Sequence, residues 1–117
     1  MDIKSLAVEM DGIVTKGAIV DAVKQFFAED ATTSDYNGVA TTNKQQMVEK
    51  MEGFASAIAQ VNGITQHHTI VEGNVSASEF TFDFDMKDNS KIYWHEIIRR
   101  IWNTNGEVVQ EEYFNAQ

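Results

Sequence analysis

The sequence predicts an α+β domain in which N-terminal helices pack on a curved antiparallel sheet. Three observations point there. Apolar residues recur at three- and four-residue steps through the first half, as at Met47, Met51, Phe54, Ile58 and Val61. After Gly63 the period drops to two: Phe80, Phe82, Phe84 and Met86 alternate with Thr81, Asp83 and Asp85. Short turn signals, Gly73-Asn74, Asp88-Asn89-Ser90 and Asn105-Gly106, then divide the second half into runs of strand length. Helices followed by strands joined by tight turns define the class.

Taken in order, residues 2–11 read as an amphipathic helix. Asp2 is its N-cap, Ile3, Leu6 and Met10 form one face, and Asp11-Gly12 ends it. A second helix covers about 17–28, with Ile19, Val23, Phe26 and Phe27 apolar. The third follows Thr42-Asn43-Lys44-Gln45, which has capping-box spacing, and runs to Asn62-Gly63. Strands are expected over 64–72, 75–87, 91–102 and 107–115. No internal repeat or low-complexity segment interrupts the chain.

A length of 117 residues suits one domain, 1–117, and 43% hydrophobic residues suffice for a core. A formal net charge of -9 argues against nucleic acid and against anionic membrane surfaces, both of which need a basic face. With no cysteine, disulfides and thiolate chemistry are excluded. No run is long enough to span a membrane, and Met1-Asp2-Ile3-Lys4-Ser5 is no signal peptide, so a cytoplasmic location is expected. There is no proline, so turns rest on Gly, Asn, Asp and Ser.

The segment from Phe26 to Tyr36 carries the sharpest chemical signal. A helical pattern ends at Phe26-Phe27, small and β-branched residues follow, and a lone carboxylate, Asp35, emerges beside Tyr36. Such a segment can aim an acid into a cavity, where burial raises its pKa and makes it a proton carrier. The plainer account is a solvated acid in a turn, with Tyr36 as packing.

The string Phe27-Ala28-Glu29-Asp30-Ala31-Thr32-Thr33-Ser34-Asp35 resembles the helix-to-strand segment of ketosteroid isomerases. Ile101 to Val109 is similar to a hairpin of the same superfamily, and Gln110-Glu111-Glu112-Tyr113-Phe114 to the ending of many SnoaL-like domains. The chain thus resembles, over nearly its whole length, the nuclear transport factor 2-like superfamily, which includes SnoaL-like polyketide cyclases. The resemblance implies a cone-shaped fold, a homodimer formed through the outer sheet face, and Asp35 at the position of the isomerases' general base. Two departures stand out. The isomerases' oxyanion-binding tyrosine has no counterpart around Met10 to Ile13, and their second oxyanion donor, an Asp, matches Ile98.

By the family's inward parity, Trp94, Glu96, Ile98, Arg100 and Trp102 point into the cone, as do Phe80, Phe82 and Phe84, and Glu111 and Tyr113. A one-residue slip would instead turn Tyr93, His95 and Arg99 inward. Tyr36 and Phe54 complete the expected pocket. Arg100 and Tyr113 are oxyanion partners for Asp35, or Arg100 forms a register-fixing ion pair with Glu96 or Glu111. Adjacent strand residues face opposite sides, so His67 and His68 are not expected to share an ion, and no metal or cofactor is expected. The expected ligand is a small apolar molecule, a carbonyl compound undergoing isomerisation, cyclisation or dehydration. The alternative is a non-catalytic ligand-binding or dimeric interaction module.

Overall fold

The computed structural model describes residues 2–117. Three helices, α1 (Ile3–Thr15), α2 (Ile19–Phe26) and α3 (Lys44–Ala57), pack on one six-stranded sheet. Its strands are β1 (Phe27–Ser34), β2 (Ala40–Thr41), β3 (Ile58–Glu72), β4 (Val75–Met86), β5 (Lys91–Trp102) and β6 (Val108–Asn115), in the spatial order β2-β1-β6-β5-β4-β3. Every neighbouring pair is antiparallel except β1 and β6, which run parallel. The architecture is a curved α+β sheet with helices on its concave side. Three register shifts between β3 and β4 add local twist, which helps the sheet curl.

The helix ends differ from the sequence reading in ways that matter for the site. α1 does not stop at Asp11-Gly12. It runs on to Thr15, because Gly17, at φ 83, supplies the left-handed exit while Gly12 is tolerated inside. Gly17 N–H donates to the Val14 carbonyl at 2.9 Å. α2 stops at Phe26, and Phe27 already has extended dihedrals. The N-cap of α3 is Asn43, whose side chain accepts from Gln46 N–H at 2.9 Å, while Gln46 reaches back to Thr42 N–H at 2.8 Å. The capping interaction therefore sits one residue later than the expected spacing.

α3 ends at Ala57, five residues before Asn62, although Ile58 and Val61 continue its apolar spacing. Pairing overrides that spacing. Ile58 lies opposite Met86, Val61 opposite Phe84, and Lys87 N–H donates to the Ala57 carbonyl at 2.8 Å. β1 and the two-residue β2 were not legible as a pair. They form a hairpin in which Asp35 N–H donates to the Val39 carbonyl at 2.8 Å and Gly38 N–H to the Asp35 carbonyl at 3.0 Å. The buried hydroxyls of Thr33 and Thr41 meet at 2.6 Å and tie the two strands together.

The core lies between the helices and the inner sheet face, around Met10, Phe26, Met47, Phe80, Phe84 and Trp102. On β5 the even-numbered residues from Glu96 to Trp102 are buried, and odd-numbered Tyr93 and Arg99 face outward. The outer face carries exposed Tyr93 and Phe114 beside Asp83 and Asp85.

Candidate functional site

Polar residues from α1 and from strands β3, β4, β5 and β6 converge under the helices. Arg100 and Glu111 are directly opposite in the β5–β6 register, and Arg100 Nε donates to Glu111 Oε2 at 2.7 Å. Arg100 Nη1 donates to Asp11 Oδ1 at 2.8 Å. Arg100 is 1% exposed and Asp11 0%. Ser78 and Thr69 hydroxyls donate to Asp11 Oδ2, and the Tyr113 hydroxyl donates to Glu111 Oε1. Burial alone would lower the Arg100 pKa, but the Glu111 and Asp11 charges outweigh it and hold the guanidinium above its ordinary value. Burial, then the Glu111 charge, pushes the Tyr113 hydroxyl well above its ordinary pKa.

A second polar group sits nearby. The β1–β2 hairpin holds Asp35, and Lys50 of α3 donates to its Oδ2 at 2.7 Å. Asp35 Oδ1 is buried and has no hydrogen-bond partner. The Lys50 ammonium also lies 5.8 Å from the centre of the Tyr113 ring. Glu96 enters from β5 and, among the described residues, has no cation directly paired with it. Burial pushes its carboxyl up to about 7, the Tyr36 hydroxyl partly offsets this, and the charges of Asp35 and Glu111 add to it.

Arg100, Glu111, Tyr113, Asp35, Lys50 and Glu96 line a cavity of about 240 Å³. Its opposite walls come from Met10, Val14, Ile19 and Val23 of α1 and α2. Phe54 of α3 stacks on Trp94 at 5.7 Å and 15° between ring planes, giving the cavity a flat aromatic side. Of the residues expected in the pocket, Tyr36, Phe54, Phe82, Trp94, Glu96 and Ile98 line it, together with Glu111, Asp35, Arg100 and Tyr113.

Phe80 and Trp102 do not line it. Phe80 is fully buried, stacked on Phe82 at 5.3 Å. Trp102 lies beyond the cavity along β5, its ring edge-on to Phe26 at 6.0 Å and its Nε1 donating to Ser76 at 2.9 Å. Both have the inward parity, but parity fixes a face and not a depth along the strand. Glu96 is likewise not part of the Arg100 ion pair. That role falls to Asp11.

The sequence reading missed Asp11, Thr69 and Ser78 around Arg100, and Lys50 and Asn37 on the cavity wall. From local pattern alone, Asp11-Gly12 reads as a helix stop. The spacing of Asp11 with Ala7, Met10 and Val14, all buried on α1, places an acid on the apolar stripe of a helix, and that is a readable sign of a buried partner. Lys50 stands one helical turn before Phe54, on the same side of α3.

All three histidines of the chain gather on the outer sheet face instead. The register shift between Gln66 and His68 lets both adjacent histidines reach that face, contrary to strict alternation. His95 Nε2 is 2.6 Å and His68 Nε2 3.9 Å from the Glu79 carboxylate, while His67 Nε2 is 2.8 Å from Thr81 Oγ1. Among the described residues, no group of three His, Asp or Glu side chains is arranged to hold a metal ion. No helix of the described residues is long and apolar enough to cross a membrane.

No family sequence model matches the chain, and no curated protein sequence does. Solved structures do match it. A SnoaL-like protein from Mesorhizobium loti superposes with a TM-score of 0.85 at 19% identity, over 97% of this chain and 99% of that one. A protein of ketosteroid isomerase-like fold from Catenulispora acidiphila, solved in complex with trimethylamine, gives 0.77 at 16% identity, over 92% of this chain and 83% of its own. An NTF2-like protein of unknown function from Burkholderia pseudomallei gives 0.79 at 12% identity, over 98% of this chain and 92% of its own. With near-complete coverage at such low identity, what is shared is the backbone architecture: the chain has the nuclear transport factor 2-like fold, of the SnoaL-like and ketosteroid isomerase-like type.

Proposed function

We propose that the cone binds a small, mostly apolar molecule, and that Glu96 faces it as a carboxyl able to change its protonation near neutral pH. One observation carries the reading. An aromatic-walled cavity holds a carboxyl group with no directly paired cation, raised to about 7 by burial. A carboxyl at that value changes protonation near neutral pH, and an enclosed apolar site with few polar groups is the usual form of a small-ligand pocket. Asp35 sits in the same cavity, with Lys50 holding one oxygen and leaving the other free.

Catalytic proton transfer on a carbonyl compound, of the isomerase, cyclase or dehydratase type, is the second reading. The Glu96 value favours it. Against it stand the hydrogen bonds of Arg100 and Tyr113, which already serve Asp11 and Glu111 rather than a developing oxyanion. The Tyr36 hydroxyl and the Lys50 ammonium are then the donors nearest the two acids.

Titrating a panel of small aromatic and alicyclic compounds into labelled protein tests the proposal. Amide and indole signals of Trp94, Tyr36 and Phe54 should shift together, while those of outer-face Tyr93 and Phe114 stay fixed. Shifts confined to the outer face would overturn it.

A further inference from the structure

The polar end of the cavity has more acids than bases. Asp35, Glu96 and Glu111 line it, and Asp11 lies directly behind Arg100. Against these four carboxyl groups stand two cations. Both are taken: Lys50 by Asp35, and Arg100 by Asp11 and Glu111. Glu111 has both oxygens engaged, by Arg100 and by Tyr113. Two acceptors keep free capacity: Asp35 Oδ1, which has no hydrogen-bond partner, and the Glu96 carboxyl, 7% exposed, which meets the Tyr36 hydroxyl and no paired cation. Trp94, Phe54 and Tyr36 line the same cavity.

This arrangement discriminates among ligand head groups. An anion would meet uncompensated negative charge in a low-dielectric site, an unfavourable place for an unpaired buried ion. A neutral acceptor such as a ketone would find the Arg100 and Tyr113 hydrogen bonds already made. A protonated amine suits both vacancies in the hydrogen-bonding: its N–H groups donate, and its charge offsets the surplus. Its carbon flanks can lie on aromatic faces, whose electron-rich surface attracts a cation.

We propose that the ligand is a primary or secondary ammonium on a compact apolar body, held between Asp35 and Glu96 with its flanks against Trp94 and Phe54. This rests on the cavity being a binding site, and it narrows the ligand class. On binding, Glu96 loses its proton to solvent and the ammonium takes the place of that proton. The groups around Glu96 that set this exchange are Tyr36, Asp35, Lys50, Glu111 and Arg100.

The test compares three probes of one shape: 2-phenylethylamine, 2-phenylethanol and phenylacetate. Each is titrated by calorimetry, with the Trp94 indole N–H signal as a site readout and that of buried Trp102 as the control. The amine should bind about tenfold or more tightly than the alcohol, with phenylacetate weakest, as expected for a charge-assisted pair. Its affinity should rise between about pH 6 and about pH 8 as Glu96 gives up its proton more readily. Asp35→Asn and Glu96→Gln, checked for folding by circular dichroism, should each narrow the gap between amine and alcohol. If the alcohol binds as well as the amine at the Trp94 signal, the amine assignment fails and the cavity reading stands. If none of the three moves that signal at millimolar concentration, the cavity reading fails and takes this inference with it.

Discussion

Arg100 of β5 and Asp11 of α1, 89 positions apart in the chain, are joined by a 2.8 Å hydrogen bond with both side chains buried. This bond fastens the first helix over the sheet and fixes one end of the cavity. Removing one partner of a buried ion pair leaves the other charge unmet in a dry place, which typically costs about 3–5 kcal/mol. Asp11→Ala is therefore expected to lower the urea unfolding free energy by that amount. The triple replacement Asp11→Leu, Arg100→Met, Glu111→Leu should be more stable than the single variant, since it removes every charge of the cluster. A loss below about 1 kcal/mol for Asp11→Ala would show that the pair contributes little.

Glu96 makes stability depend on pH in a defined direction. Its folded-state pKa of about 7 stands above the ordinary value of 4.5, so the protonated form favours folding. That contribution is fully present below about 4.5 and is lost as pH rises through about 7. Glu96→Gln cannot ionise and lacks the loss. The variant should therefore gain on the wild type between about pH 5 and about pH 8, by roughly 1–3 kcal/mol after allowance for solvent at the cavity mouth. Urea midpoints at the two pH values measure it, and an unchanged difference would refute the buried titration.

The fold was legible because period and turn chemistry agreed along most of the chain. Phe80, Phe82 and Phe84 alternate cleanly, and Asn105-Gly106 sits where the β5–β6 turn forms. Legibility failed where tertiary pairing outweighed local pattern. Ile58 and Val61 continue a helical stripe, yet the β4 edge draws them into β3. The family's inward parity puts Trp94, Glu96 and Ile98 on one strand face, and all three line the cavity. Trp102 shares that parity and still lies outside the cavity, because depth along a strand has no sequence signature. The polar wiring was the least legible part. Glu96, Glu111 and Arg100 read as one cluster from the inward parity that the resemblance implies, whereas the helix contributes the deciding acid, Asp11.

Lys50 and Asp35 bear on Glu96 with opposite signs. The Asp35 charge raises the Glu96 pKa and the Lys50 charge lowers it. Lys50→Met should move the Glu96 titration above about 7, and Asp35→Asn should move it below, each by up to about one unit for a charge at this range. Carbon-13 detection of the Glu96 side-chain carboxyl across pH separates the two. Shifts of the same sign in both variants would mean that a structural rearrangement, and not the direct charge effect, sets the value.

The two tryptophans divide the cavity from the core, and their fluorescence should report the division. Trp94 is half-buried and forms a cavity wall with Phe54, while Trp102 is 1% exposed and donates to Ser76. Acrylamide, a small neutral quencher, needs contact with the indole. In Trp102→Phe, which leaves Trp94 as the sole emitter, quenching should be several-fold stronger than in Trp94→Phe, where only the packed indole remains, because a close-packed interior admits few voids larger than water. The two variants should also differ in stability. Trp102→Phe leaves a void and an unpartnered Ser76 hydroxyl in the core, and is expected to cost about 1–3 kcal/mol. Trp94→Phe trims a wall that already faces open space and should cost less. Equal quenching in the two variants would mean that the cavity is closed to molecules of that size, and would remove the physical basis for a ligand site there.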